Sequence, residues 1–169
     1  MPEPTAEDAL PVNAPVSAPA IDVSSPAASI LVVDDEIGIQ ESLQVLLSLE
    51  NYAVKTAANG EEGLRLLDQS AFDLVLLDLA LPGLSGIELL PQFKERQPDL
   101  PIIMITAYGT VDNVVEAIHA GAENFIQKPW DNEKLLADIR SAVARRRAEE
   151  TMQEVRAAMR LTPAAPAAK

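Results

Sequence analysis

Residues 30–47 read ILVVDDEIGIQESLQVLL, and the stretch changes period midway. Ile30–Val33 is apolar at every position, as a strand is when helices cover both faces of its sheet. Further on, Ile39, Leu43, Leu46 and Leu47 recur at helical spacing opposite Gln40, Glu41 and Gln44. Between the two lies Asp34-Asp35-Glu36, too polar for a covered strand. The stretch is therefore a strand, a polar rim and an amphipathic helix.

The same texture recurs downstream. Strands are predicted at Tyr52–Thr56, Asp73–Leu77, Pro101–Ile105 and Glu123–Gln127, and the runs LVLL and IIMI within them are again apolar on both faces. Asn59-Gly60-Glu61-Glu62 opens a second helix with a capping amide and first-turn acids. Pro82-Gly83 marks a turn before a third, Ser85–Lys94. Thr110–His119 is the fourth, ended by Gly121, and Asp131 caps the fifth. Five βα units with short connections predict a doubly wound α/β fold, a five-stranded parallel sheet spanning residues 29–145.

The flanks differ in kind. Residues 1–28 hold six of the 13 prolines and four acids with no base, and cannot bury enough apolar surface to offset chain entropy. They are read as a disordered Pro/Ala-rich extension, and residues 162–169 as a disordered tail. The fifth helix is expected to continue as an arm over residues 146–161, where Met152, Val155 and Met159 fall at spacings of three and four. That pattern fits either a short coiled-coil seam or a frayed, charged helix end.

Composition narrows the function. The 169 residues are 48% hydrophobic and 23% charged, which suits one packed domain. Aromatic residues make up only 4%, against a stacking surface for single-stranded nucleic acid. The net charge is −13, and a body this acidic repels phosphate backbones, so no direct nucleic-acid binding is expected. The absence of cysteine removes disulfides, thiol catalysis and zinc–thiolate sites. No apolar run approaches the roughly 18 residues that cross a bilayer, and residues 1–28 lack a secretory signal. A cytoplasmic protein without membrane contact is the expectation.

In open parallel sheets ligands sit beyond the C-terminal strand ends. The polar residues ending the strands are Asp34-Asp35, Asp78, Thr106 and Lys128-Pro129. Carboxylates packed together repel, and one would be driven to hold a proton unless a hard cation relieves the repulsion. Magnesium favours such oxygen ligands and keeps waters for phosphate. Lysine offers a compact charge for a phosphate oxygen, and the threonine hydroxyl can donate to another. The set looks built for phosphoryl transfer. Nucleotide chemistry fits poorly, because DDEIGIQES after the first strand lacks any glycine-rich cradle. His119, the single histidine, lies in a helix away from every strand end and is read as a surface or edge residue.

VVDDE at 32–36, LLDLALPGLSG at 76–86, MITAYG at 104–109 and GAENFIQKPW at 121–130 together resemble the receiver domain of two-component response regulators. The resemblance implies the flavodoxin-like strand order 2-1-3-4-5, a fold for which a chemotaxis regulator of this family is a standard example. It implies that Asp78 accepts a phosphoryl group from a sensor histidine kinase. Asp34, Asp35, Asp78 and the backbone carbonyl of Ala80 would hold Mg2+, Asp34 through water. Lys128 would contact the phosphoryl oxygens, Thr106 would move to hydrogen-bond them, and Phe125 would be the switch aromatic. Lys128–Pro129 would be a cis peptide, and Trp130 a packed surface aromatic. Ala80 and Tyr108 depart from the chemotaxis members in a way that predicts slower self-dephosphorylation.

TAYGTVDNVVEAI and the Lys-Pro-Trp ending resemble nitrogen-regulator-type receivers, which usually precede an ATPase and a DNA-binding domain. No such output domain fits after residue 145, so a stand-alone switch is expected. It would act on a downstream protein target or a histidine phosphotransferase, and assist its own chemistry without being an enzyme. A homodimer through the helix four–helix five face or the arm is a further expectation. The alternatives are a receiver fragment of a longer transcription factor and a phosphorelay intermediate. Two others fit less well: an aspartyl-phosphate hydrolase, for which Ala80 lacks the second acid, and a non-phosphorylated dimerisation scaffold.

Overall fold

The computed structural model describes residues 25–161. The elements alternate strictly: β1 (Ala28–Val33), α1 (Ile37–Leu49), β2 (Tyr52–Ala57), α2 (Gly60–Gln69), β3 (Leu74–Asp78), α3 (Gly86–Arg96), β4 (Ile102–Thr106), α4 (Val111–His119), β5 (Asn124–Gln127) and α5 (Asn132–Leu161). All pairings are parallel, in the order β2-β1-β3-β4-β5. This is the flavodoxin-like sheet expected.

Each strand splits its side chains between two cores, as a period of two requires. Leu31, Val33, Val75, Leu77, Ile102 and Met104 face one layer, where Leu64 and Leu67 of α2, Leu89, Leu90 and Phe93 of α3 and Ala117 of α4 cover them. Ile30, Val32, Leu74, Leu76, Ile103, Ile105 and Ile126 face the other, under Leu43 and Leu47 of α1 and Leu135, Ile139 and Val143 of α5. β3 and β4 are buried throughout, which explains their uninterrupted apolar sequence.

Side chains cap four of the helix starts, at Asn59 and Asp131 as expected and at Ser85 and Thr110 in addition. Asn59 accepts from the Glu62 N–H, Thr110 from the Asn113 N–H, and Asp131 from the N–H groups of Glu133 and Lys134. Ser85 and Glu88 form a reciprocal capping box. Gly121 has a positive φ of 109° just past α4, as a helix stop requires.

Several boundaries move. β1 begins at Ala28, two residues ahead of the predicted strand and one ahead of the predicted domain, because Ala28 pairs with Tyr52 and is buried. Asp78 and Thr106 end their strands, as read from the sequence, and each keeps its place in the register. α3 starts one residue later than predicted, with Ser85 as its cap, and runs two further, to Arg96. The fifth helix continues past residue 145 as expected: α5 is one continuous helix to Leu161. Arg140 pairs with Glu50, Arg145 pairs with Glu123, and Arg147 donates to the Ala27 carbonyl. Of the disordered extension expected over residues 1–28, residues 1–24 lie outside the described residues, as does the expected disordered tail 162–169.

Candidate functional site

Parallel strands end on the same rim, so β1, β3, β4 and β5 deliver their terminal polar residues to one place. Asp34 follows β1, and its own N–H is tied to the Ala57 carbonyl of the neighbouring strand. Its Oδ1 accepts from the Glu36 N–H at 2.9 Å, an Asx turn that leaves Oδ2 free to face the centre. Asp78 ends β3, and its Oδ1 accepts from the Ala80 N–H at 3.1 Å. Both carboxylates are only 3% exposed.

Lys128 closes the group. Its Nζ lies 2.7 Å from Asp34 Oδ2, 3.2 Å from Asp78 Oδ2 and 3.4 Å from Glu36 Oε1. Its backbone N–H donates to the Thr106 carbonyl, and the Lys128–Pro129 peptide is cis, as the resemblance implied. One carboxylate oxygen from each of Asp34, Asp35 and Asp78 lies within 4.8 Å of the others, with Asp35 on the solvent side. Among the described residues this is the one acidic group so arranged. An all-oxygen set with two buried carboxylates fits a hard divalent cation.

The titration of the site follows from its burial. Burial pushes the Asp78 carboxyl above the usual carboxylate range and the Asp34 charge adds to this, against the Ala80 N–H and the Lys128 ammonium. Burial alone would lower the Lys128 ammonium, but its hydrogen bond to Asp34 and the charges of Asp78 and Asp34 outweigh this and raise it. The rim is thus under electrostatic tension in one direction. Its carboxylates exceed the cationic charge present, and a cation or a shared proton relieves the excess.

Thr106 is fully buried at the end of β4, and its Oγ1 accepts from the Tyr108 N–H at 3.2 Å. Met104 is the register partner of Phe125 and Thr106 that of Gln127, so Thr106 and Phe125 project from the same sheet face, the α2–α4 side. Phe125 is half-buried against that core. Ala80 is exposed on the loop after β3. Trp130 is half-buried beside Lys128, its Nε1 donating to Asn132, and His119 is exposed, as read from the sequence.

Two contributors were missed in the sequence. Glu36 reaches Lys128 and supplies the N–H that orients Asp34. Gln40, one turn into α1, donates from Nε2 to the Asp34 carbonyl. Glu36 adjoins the acidic pair and could have been found there, whereas Gln40 carries no signal beyond its polar position on the helix.

The response regulator receiver domain family matches residues 30–140. The transcriptional regulatory protein ZraR of Klebsiella oxytoca is 39% identical over 129 residues, covering 76% of this chain and 29% of its own. A CheY-like receiver domain protein from Methanospirillum hungatei superposes with a TM-score of 0.70 at 35% identity, over 72% of this chain and 98% of that one. NtrX from Brucella abortus superposes with a TM-score of 0.72 at 34% identity, over 76% of this chain and 30% of that one. The chain spans about half or less of the curated relatives it matches. It belongs to the response regulator receiver domain family, and its likeness is to receivers of the nitrogen-regulator type.

Proposed function

We propose that the protein is a phosphoacceptor switch of a two-component system, in which Asp78 takes a phosphoryl group from a sensor histidine kinase. The observation that carries this reading is the Lys128 ammonium held between Asp34 and Asp78 beside the third carboxylate of Asp35. Asp34, Asp35, Asp78 and the Ala80 carbonyl would hold Mg2+, Asp34 through water. When bound, the ion neutralises carboxylate and phosphoryl charge.

Asp78 is oriented by the Ala80 N–H through Oδ1, which leaves Oδ2 to attack phosphorus in line. The bond from phosphorus to the donor's imidazole nitrogen breaks as the bond to Asp78 forms, and the imidazole leaves neutral with its proton. Lys128 lies within 3.2 Å of the attacking oxygen and so meets the new phosphoryl oxygens without travelling. The product carries about 1.5 to 2 negative charges at a buried point where the ionised Asp78 carried one. The Thr106 hydroxyl turns toward that charge, and Phe125 on the same face fills the vacated space, reshaping the α4–β5–α5 surface. One charge-assisted contact supplies about 1.5 to 3 kcal/mol, a large part of the roughly 5.5 kcal/mol that turns a 1:99 population into 99:1.

The reading places the protein in the cytoplasm, acting by contact with a downstream protein or a histidine phosphotransferase, with no direct nucleic-acid contact and no separate substrate to turn over. Among the described residues no helix is long and apolar enough to cross a membrane. A second reading makes these residues the receiver segment of a longer transcription regulator, which the small share of ZraR and NtrX that they span favours. The reading frame beyond codon 169 separates the two.

The test is incubation with acetyl phosphate and Mg2+, read by intact mass. The wild type gains one acid-stable, base-labile phosphoryl group, and Asp78→Asn gains none. Label persisting on Asp78→Asn sinks the assignment.

A further inference from the structure

We infer that Glu36 sets the specificity of the rim for its phosphoryl donor, a role that rests on the reading of Asp78 as phosphoacceptor. Its carboxylate, held over Lys128, turns away small anionic donors that approach Asp78 from solvent. Local helix chemistry does not explain where Glu36 stands. It occupies the cap position of α1, yet its side chain makes no hydrogen bond to the first turn of that helix. Glutamate is not among the favoured caps. The side chain reaches instead to Lys128, with Oε1 3.4 Å from Nζ. Its backbone is pinned on both sides, the N–H donating to Asp34 Oδ1 and the carbonyl accepting from the Gln40 N–H. The carboxylate is thereby kept on the solvent side of the ammonium, 62% exposed over a lysine that is 9% exposed.

An ion pair with so exposed a partner contributes little to stability, and Lys128 already has shorter contacts to Asp34 and Asp78. What Glu36 alters is the sign of the entrance. With Mg2+ bound, the charges of Asp34, Asp35 and Asp78 are balanced by the ion and Lys128, and the Glu36 charge is left over. Glu36 lines a groove of about 610 Å3 together with Ile39, Leu46, Lys128 and Trp130, so the groove reaches the rim at Lys128. A small free donor carries about two negative charges at neutral pH and meets that charge uncompensated. A donor carried by a protein can offset it with a basic side chain of its own. One like charge at the entrance therefore acts on the rate of encounter and on the choice of donor.

The test compares the wild type with Glu36→Gln, Glu36→Asp and Glu95→Gln, the last removing an equal charge from the exposed C-terminal end of α3. Uptake from acetyl phosphate at saturating Mg2+ is followed by intact mass; the bond from phosphorus to the acetate oxygen breaks as the bond to Asp78 forms. Glu36→Gln is expected to raise the second-order rate constant about fivefold. The gain falls to within about twofold in about 0.5 M potassium chloride, where the screening length is about 4 Å. Glu36→Asp, which keeps the charge, and Glu95→Gln both stay within about twofold of the wild type. A second readout needs no phosphoryl transfer. Trp130 is the single tryptophan and shares the groove with Glu36, so quenching of its emission reports which solutes enter. Glu36→Gln is expected to raise quenching by iodide about twofold and to leave quenching by neutral acrylamide unchanged. Equal uptake by Glu36→Gln and the wild type, a gain shared by Glu95→Gln, or one undiminished in salt overturns the inference. Iodide quenching that does not distinguish Glu36→Gln from the wild type overturns it too. All of these leave the phosphoacceptor reading standing, whereas a wild type that takes up no phosphoryl group overturns both.

Discussion

At the scale of single residues the site is a compromise between two carboxylates that resist sharing a buried rim and one ammonium that serves both. Asp78 bears most of that conflict, since its burial and the nearby Asp34 charge raise its folded pKa above the unfolded value. A carboxylate raised in this way adds stability that is present below the ordinary carboxylate range and lost as pH rises through the folded pKa. Without divalent cation, Asp78→Asn is therefore expected to be more stable than wild type at pH 7, by about 1 kcal/mol. The advantage shrinks toward zero as the solution is acidified below the carboxylate range. Urea denaturation of both proteins at pH 7 and pH 4 in EDTA checks this, and a variant less stable at pH 7 contradicts it. The Asp34–Lys128 contact survives the change and keeps Lys128 paired. A second residue sets the lifetime of the phosphorylated state. Ala80, exposed beside Asp78, has no side chain to orient a hydrolytic water, and the exposed Tyr108 stands on the loop after β4. Ala80→Asn should shorten the acyl-phosphate half-life at least about fivefold, through positioning of that water. The decay of the phosphorylated mass after donor removal measures it.

At the scale of elements, loop after loop is held close to the rim by backbone contact, and glycine decides where this is possible. A Cβ on Gly86, at the start of α3, would stand 2.3 Å from the Asp78 carbonyl oxygen and 2.9 Å from Leu79 Cα. Backbone cannot yield as a side-chain tip does. Gly86→Ala should cost about 3 kcal/mol by thermal unfolding and displace Asp78 enough to slow phosphoryl uptake. Gly38, on the exposed face of α1 with nothing within 4 Å, gives the opposite sign. Gly38→Ala should stabilise by about 0.5 kcal/mol, through reduced chain entropy. The contrast marks what was legible in the sequence. The role of Gly86 was not legible, because it comes from a neighbour eight residues back that only the folded loop brings close. The central strands and the caps Asn59 and Asp131 were legible because their signals are local, uninterrupted apolar runs and a capping residue just before a helix, whereas Ser85 and Thr110 were read as first helical residues and prove to be caps. Asp34, Asp78 and Lys128 were legible because a parallel sheet turns strand ends into neighbours. Gln40 and the reach of Glu36 were not, because one turn of helix offers several polar positions and only the tertiary angle of α1 selects among them.

At the scale of the whole molecule, a net charge of −13 raises the question of whether a divalent cation stabilises this protein by occupying the rim or by screening the surface. The two mechanisms differ in magnitude and in what abolishes them. Occupation of one site follows mass action, so a concentration one hundred times the dissociation constant adds about 2.7 kcal/mol. For a folded body of this size that raises the unfolding midpoint by about 10 °C. Screening acts on all charges at once and is matched by sodium chloride at equal ionic strength. The expected outcome is a midpoint that climbs and saturates with Mg2+ and moves little with sodium chloride. Asp35→Asn, exposed and free of the Lys128 contacts, should weaken the Mg2+ response at least about tenfold without lowering the midpoint in EDTA. Ending the chain after Glu150 should leave the response unchanged, because the rim and the exposed arm lie at opposite ends of the sheet's strands. Differential scanning calorimetry of the three proteins in both salts decides it. An equal gain from Mg2+ and sodium chloride, or an undiminished gain in Asp35→Asn, would make the effect one of surface charge and leave the three carboxylates without a metal role.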